Sequence, residues 1–118
     1  MSLRAFLFLA LLLWSGPVLG QSAISGPGAN SCAVFLQFQE QDAQARQLLF
    51  FAWAQGFMSG MNAIAIKIKG EVIDLQPEGY GQERQLTFLR TFCEFHPNRS
   101  YAEAVFELLT ELRHASRN

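Results

Sequence analysis

Few side chains in this sequence could do chemistry, and their spacing limits what that chemistry would be. The only cysteines, Cys32 and Cys93, stand 61 positions apart with no CxxC motif and no histidine beside Cys32. A dithiol redox centre or a zinc site needs closely spaced ligands, so the pair reads as one structural disulfide. His96 and His114 are the only histidines. His96 follows Cys93 and Glu94 at an expected helix end and reads as a capping residue rather than a metal ligand. Glu71 and Asp74 fall in a loop stretch with no candidate nucleophile or second base beside them. No HExxH, GxSxG, Walker or dinucleotide fingerprint occurs. The expectation is a protein that is not an enzyme and takes no cofactor and no metal.

Three glutamates remain as a chemical possibility. Glu103, Glu107 and Glu111 repeat every four residues and would stack on one helix face. Like charges at that spacing oppose a helix by a few tenths of a kcal/mol per pair, and protonation removes the repulsion. The plain reading is a solvated face; the functional reading is a pH-responsive surface.

The composition narrows the rest. The chain has 118 residues, 50% hydrophobic, with 11 phenylalanines and a formal charge of -1. Such apolar content argues for a packed core rather than disorder. The length suits one domain. A nucleic-acid partner is not expected, because no excess or cluster of Lys and Arg is present.

Residues 1–20 read as a secretory signal. One positive charge precedes the apolar run Ala5–Trp14, Ser15-Gly16-Pro17 breaks it, and Val18 and Gly20 sit at -3 and -1 of a cut before Gln21. The protein is therefore expected to be exported, to the periplasm if the source is a Gram-negative bacterium. Removing 20 of 118 residues leaves 98, with 8 basic against 10 acidic side chains, a charge of -2. A domain of that size gains from a covalent staple in an oxidising compartment.

The elements that must position these residues are expected to be helices. Residues 21–30 are rich in Ser, Gly and Pro and read as a flexible arm. Residues 31–118 form the helical domain. Asn30 or Ser31 caps a first helix over about Cys32–Gln39, with Val34, Phe35 and Phe38 on its apolar side. Asp42 caps a second helix reaching Asn62 or beyond, with Leu49, Trp53, Gly56, Phe57 and Gly60 on one stripe. Ala52, Gly56 and Gly60 recur every four residues, a groove for close helix packing. Phe50, Phe51 and Met58 lie off that stripe, so surplus apolar surface is expected there for self-association or a partner.

No charge occurs from Gln47 to Ile66, and Gly56 and Gly60 form a GxxxG, which raises a membrane span. Gln55, Ser59 and Asn62 speak against it. So does topology, because one span between Cys32 and Cys93 would keep their thiols on opposite sides. Ile64, Ile66 and Ile68 alternate with Ala65, Lys67 and Lys69, a short strand unless the segment simply finishes the helix. A loop follows over 70–81. The third helix covers Gln82–Phe95, with Leu86, Leu89, Phe92 and Cys93 on one face, and ends at His96-Pro97. Ser100 and Glu103 make a capping box for a fourth helix that buries Ala102, Val105, Phe106, Leu109 and Leu112. The fold class is all-α: four helices closed by one disulfide.

Four ordered landmarks carry a resemblance. They are Cys32-Ala33-Val34-Phe35-Leu36, the run Trp53–Asn62, the run Leu89–Pro97 and Ala102-Glu103-Ala104-Val105. Over about residues 31–112 the chain resembles the HdeA/HdeB family of periplasmic acid-stress chaperones. The resemblance implies an all-helical fold and ATP-independent holding of acid-unfolded clients by dimers that loosen at low pH. It maps the family's disulfide to Cys32 and Cys93 and the client surface to Phe50, Phe51, Trp53, Phe57 and Met58. The chain is also similar to the Tai-type immunity proteins of secretion systems, through Gly56-Phe57, Gly60, Gln85-Leu86, His96-Pro97 and Ala104. That similarity implies neutralisation of a secreted toxin. The expected partners are protein clients, a single protein partner or a second copy of the chain. A small membrane-associated subunit is the third alternative.

Overall fold

The computed structural model describes residues 23–41 and 43–118; the side chains of residues 39–41, 43 and 46 are likewise outside the description. The signal reading of residues 1–20 and the Asp42 cap fall outside the described residues. After a 3-10 turn at Gly26–Ala29 come four helices: α1 (Cys32–Gln41), α2 (Ala43–Lys67), α3 (Gln82–Phe95) and α4 (Tyr101–Ala115). The fold is all-α, and the Cys32–Cys93 disulfide joins the first residue of α1 to the last turn of α3.

Local chemistry sets most of the helix ends. The Ser31 hydroxyl accepts from Val34 N at 3.2 Å and caps α1. Two further backbone N–H groups at that end find carbonyls in the α3–α4 connection: Cys32 N donates to Arg99 O at 2.7 Å and Ala33 N to Pro97 O at 3.0 Å. Tyr101 N donates back to Asn30 O at 2.8 Å. The disulfide therefore sits beside a backbone lacing that already aligns the two segments. α3 stops at His96, whose N–H reaches Phe92 O and Cys93 O, and Pro97 follows. α4 opens with the full capping box of Ser100 and Glu103.

The core lies where α1, α2 and α4 meet. Phe35, Phe50 and Tyr101 are buried together, with ring centroids 5.2 Å (Phe35–Phe50), 4.7 Å (Phe35–Tyr101) and 5.0 Å (Phe50–Tyr101) apart. The Tyr101 hydroxyl donates to Phe50 O at 3.0 Å, and burial pushes its pKa well up. Leu89, Val105, Leu108 and Leu112 extend this core toward α3.

Several expectations are corrected. The arm at residues 21–30 is not free where it is described, because Gly26–Ala29 forms a turn around Trp53. Trp53 Nε1 donates to Ser25 O at 3.1 Å. A Cβ on the buried Gly28 would overlap the Trp53 indole, and Gly26 has φ +73°, where L side chains are strained. Gly28→Ala is therefore expected to cost about 1–3 kcal/mol by overpacking. A urea titration checks this, together with a shift of tryptophan emission as the ring leaves its seat.

The alternating isoleucines do not form a strand. α2 runs through Ile64 and Ile66 to Lys67 and closes with Gly70 N on Ala65 O at 2.8 Å and Lys69 in the left-handed region. α1 continues two residues beyond the expected end. On α4, Phe106 is exposed and not in the buried stripe; it packs edge-on against Phe57 instead, at 5.0 Å.

The largest correction concerns α2. Its buried stripe is Phe50, Phe51, Ala54 and Met58, turned away from the one the spacing suggested, of which only Trp53 and Phe57 pack partly against the core. Leu49 is 59% exposed, and Ala52, Gly56 and Gly60 are exposed too.

Candidate functional site

The long helix α2 presents one covered side and one open side. The open side is a ridge of Leu48, Leu49, Ala52, Gly56 and Gly60. A Cβ at Gly56 or Gly60 would meet nothing within 4 Å. Among the described residues Ala52, Gly56 and Gly60 thus pack against no other helix, and the expected internal packing groove is an outer surface there. Phe50, Phe51 and Met58, expected to hold a partner, are core side chains instead. Trp53 and Phe57 are half-buried along one edge of the ridge, stacked at 5.0 Å and 17°.

A depression flanks the ridge on each side. Toward α3 lies a cleft of about 470 Å³ between α2 and the loop following it, reached from the ridge over Gln55 and Ser59. Its lining is uncharged: Gln55, Ser59, Gln76, Gln82 and Gln85 supply polar groups, and Phe51, Met58 and Leu75 supply apolar ones. Amide and hydroxyl groups of this kind both donate and accept, as a peptide backbone does. On the other side a groove of about 250 Å³ is lined by Pro27, Asn30, Phe38, Leu49 and Phe50.

Polar straps from Asn62 and Gln85, a role the sequence did not indicate for either, fix the loop beside the cleft. The Asn62 amide donates to Ile73 O at 2.8 Å and accepts from Ile73 N at 3.0 Å. The buried Gln85 amide donates to Leu75 O at 2.9 Å and Tyr80 O at 3.1 Å. Asp74 accepts from Gln76 N at 2.9 Å in a local turn. Glu71 contacts Arg117 at 2.8 Å and Arg113 at 3.5 Å, tying the start of the loop to the end of α4. In the sequence Gln85 stood out only as part of the Gln85-Leu86 landmark, with nothing to mark it as a strap for the loop. Asp74 and Glu71 thus serve loop geometry, and neither lines the cleft.

The three glutamates on α4 do not share one environment. Glu103 closes the capping box and pairs with Arg99 at 3.3 Å. Glu107 is exposed, and Glu111 faces Tyr80, whose phenol is pushed up by burial and then by that carboxylate. Glu103 is held below the usual glutamate range, chiefly by the backbone N–H of Ser100, with its hydroxyl and Arg99 adding to the effect. A carboxylate depressed in the folded state contributes stability above its unfolded pKa. That contribution is lost as pH falls through the folded value. Glu103→Gln is therefore expected to flatten the fall in melting temperature below about pH 4.3, the ordinary glutamate pKa. Thermal melts of both proteins between pH 7 and pH 3 check it.

His96 caps α3 with its ring 4.6 Å from Phe92. Among the described residues no group of three or more His, Cys, Asp or Glu could hold a metal ion. Comparison with protein-family models, with curated proteins and with solved structures found no match for this chain.

Proposed function

We propose that this chain is an exported, non-enzymatic protein-binding domain that engages one partner at neutral pH through the α2 ridge and its cleft. The observation that carries this reading is the open ridge itself. Leu48, Leu49, Ala52, Gly56 and Gly60 are exposed while the core and the disulfide are intact. The binding surface needs no unfolding to appear, which favours a standing partner over acid-triggered clients. Toxin neutralisation, the role implied by the similarity to Tai-type immunity proteins, fits that behaviour. The apolar leader and the disulfide support export, with the periplasm as the site in a Gram-negative bacterium.

An acid-stress chaperone of HdeA/HdeB type is the second reading. It is favoured by carboxylate contacts at both ends of α4, where Glu103 caps the helix and Glu71 holds Arg113 and Arg117. Acid would discharge Glu103 and weaken the start of α4. The spanning reading has less support. Gln47–Lys67 is long and apolar enough to cross a membrane. One crossing there would separate Cys32 from Cys93, and the disulfide joins them.

Fluorescence of an apolar dye at pH 7 and pH 3 tests the choice. The neutral-pH reading expects dye bound at pH 7 and displaced by Leu48→Ser with Leu49→Ser. Dye binding and suppression of client aggregation that begin only on acidification would favour the chaperone instead.

A further inference from the structure

Beyond the ridge, the far end of α2 carries a second kind of surface. From Ala63 to Val72 every residue but Ala65 is exposed, and Ile64, Ile66, Ile68 and Val72 are each more than half exposed. Asn62 is the last α2 residue strapped to the body, by its two bonds to Ile73. What lies past it is a short prong. Ile64 and Ile66 point about 200° apart around α2, and Ile68 and Val72 follow beyond the helix end, so the apolar groups do not share one helix face. Lys67 and Lys69 sit among them, and neither forms an ion pair among the described residues.

The charge at this end is one-sided. The acidic neighbour, Glu71, is held by Arg113 and Arg117. Four cations and one carboxylate give these five residues a formal +3. The whole chain is -1, which leaves -4 for everything else. An apolar tip with unpaired lysines complements an anionic apolar boundary.

We infer that the Ile64–Val72 prong docks the protein on an anionic lipid surface. A rigid protein partner would need a socket enclosing isoleucines that point several ways. A fluid interface takes them in whatever direction they project, while the lysines keep their ammonium groups at the headgroups. The contact is peripheral, because the α2 residues before Asn62 pack into the body on Phe50, Phe51, Ala54 and Met58.

The test is co-sedimentation of the purified, disulfide-bonded protein with phosphatidylglycerol-containing vesicles and with pure phosphatidylcholine vesicles. The expected result is binding to the anionic vesicles only, weakened by salt. Each basic residue near an anionic surface contributes about a fivefold factor in partitioning, so Lys67→Glu with Lys69→Glu should weaken binding by about 25-fold or more. Ile66→Ser with Ile68→Ser should also release the protein, and circular dichroism confirms that each variant is folded. Equal binding to neutral vesicles, no binding to anionic ones, or binding unmoved by both variants would overturn the inference. So would a concentration-dependent dimer that the isoleucine variant dissolves, which would place a second copy on the prong.

Discussion

Serine at both Cys32 and Cys93 is expected to lower stability by about 4 kcal/mol. The bond closes a segment with a sequence separation of 61, which holds all of α1, α2 and the loop, and α3 as far as its last turn. Without the tether the unfolded chain regains the freedom of that whole excursion. The folded state loses little, because the backbone lacing of Cys32 and Ala33 to Arg99 and Pro97 can persist. A domain this small has a total stability on the order of 5–15 kcal/mol, so the loss is a large part of it. In thermal unfolding the midpoint should fall by about 15–30 °C. Both cysteines are fully buried, so reductant alone should act slowly on the native protein and quickly in urea. Equal midpoints for the two proteins would show that the lacing, not the bond, closes the fold.

Phe35→Ala is expected to cost about 3–5 kcal/mol, the range for removing a large buried ring. Phe35 is one of the largest fully buried side chains and touches both Phe50 and Tyr101. Its loss leaves a cavity between α1, α2 and α4 that Tyr101 cannot refill while its hydroxyl holds Phe50 O. Leu49→Ala, on the open ridge of the same long helix, should change stability by no more than about 0.5 kcal/mol. Urea titrations of the two variants check the contrast. Similar losses for both would mean that the ridge is covered.

Helix ends were legible in the sequence because they depend on few residues. Ser31, Ser100 with Glu103, and His96-Pro97 each act on the nearest turn, and α1 and α4 begin and α3 ends where those signals place them. The disulfide was legible because only two cysteines occur. The buried side of α2 was not. Apolar residues stand all around that helix, so spacing alone offers two stripes, and the tertiary partners choose between them. Phe50 is taken by Phe35 and Tyr101, and Trp53 by the Gly26–Ala29 turn. That turn was hidden for a related reason. Gly-Pro-Gly composition resembles a linker until an indole occupies the space where a Cβ of Gly28 would be. Glycines at 56 and 60 suggest close packing, but glycine also leaves a surface flat for a partner outside the chain. The cleft escaped notice because its lining is drawn from α2, the loop and α3, with no motif to join them.

Site-specific photocrosslinking in the cells that make the protein tests the partner-binding reading most directly. A crosslinking residue at Ala52 or Gly56 faces open space and should leave the fold intact; one at the exposed Thr110 on α4 serves as the control. The predicted result is one dominant crosslinked protein from positions 52 and 56 at neutral pH and none from position 110. A diffuse set of products shared by all three positions, or products that arise only after acidification, would contradict it.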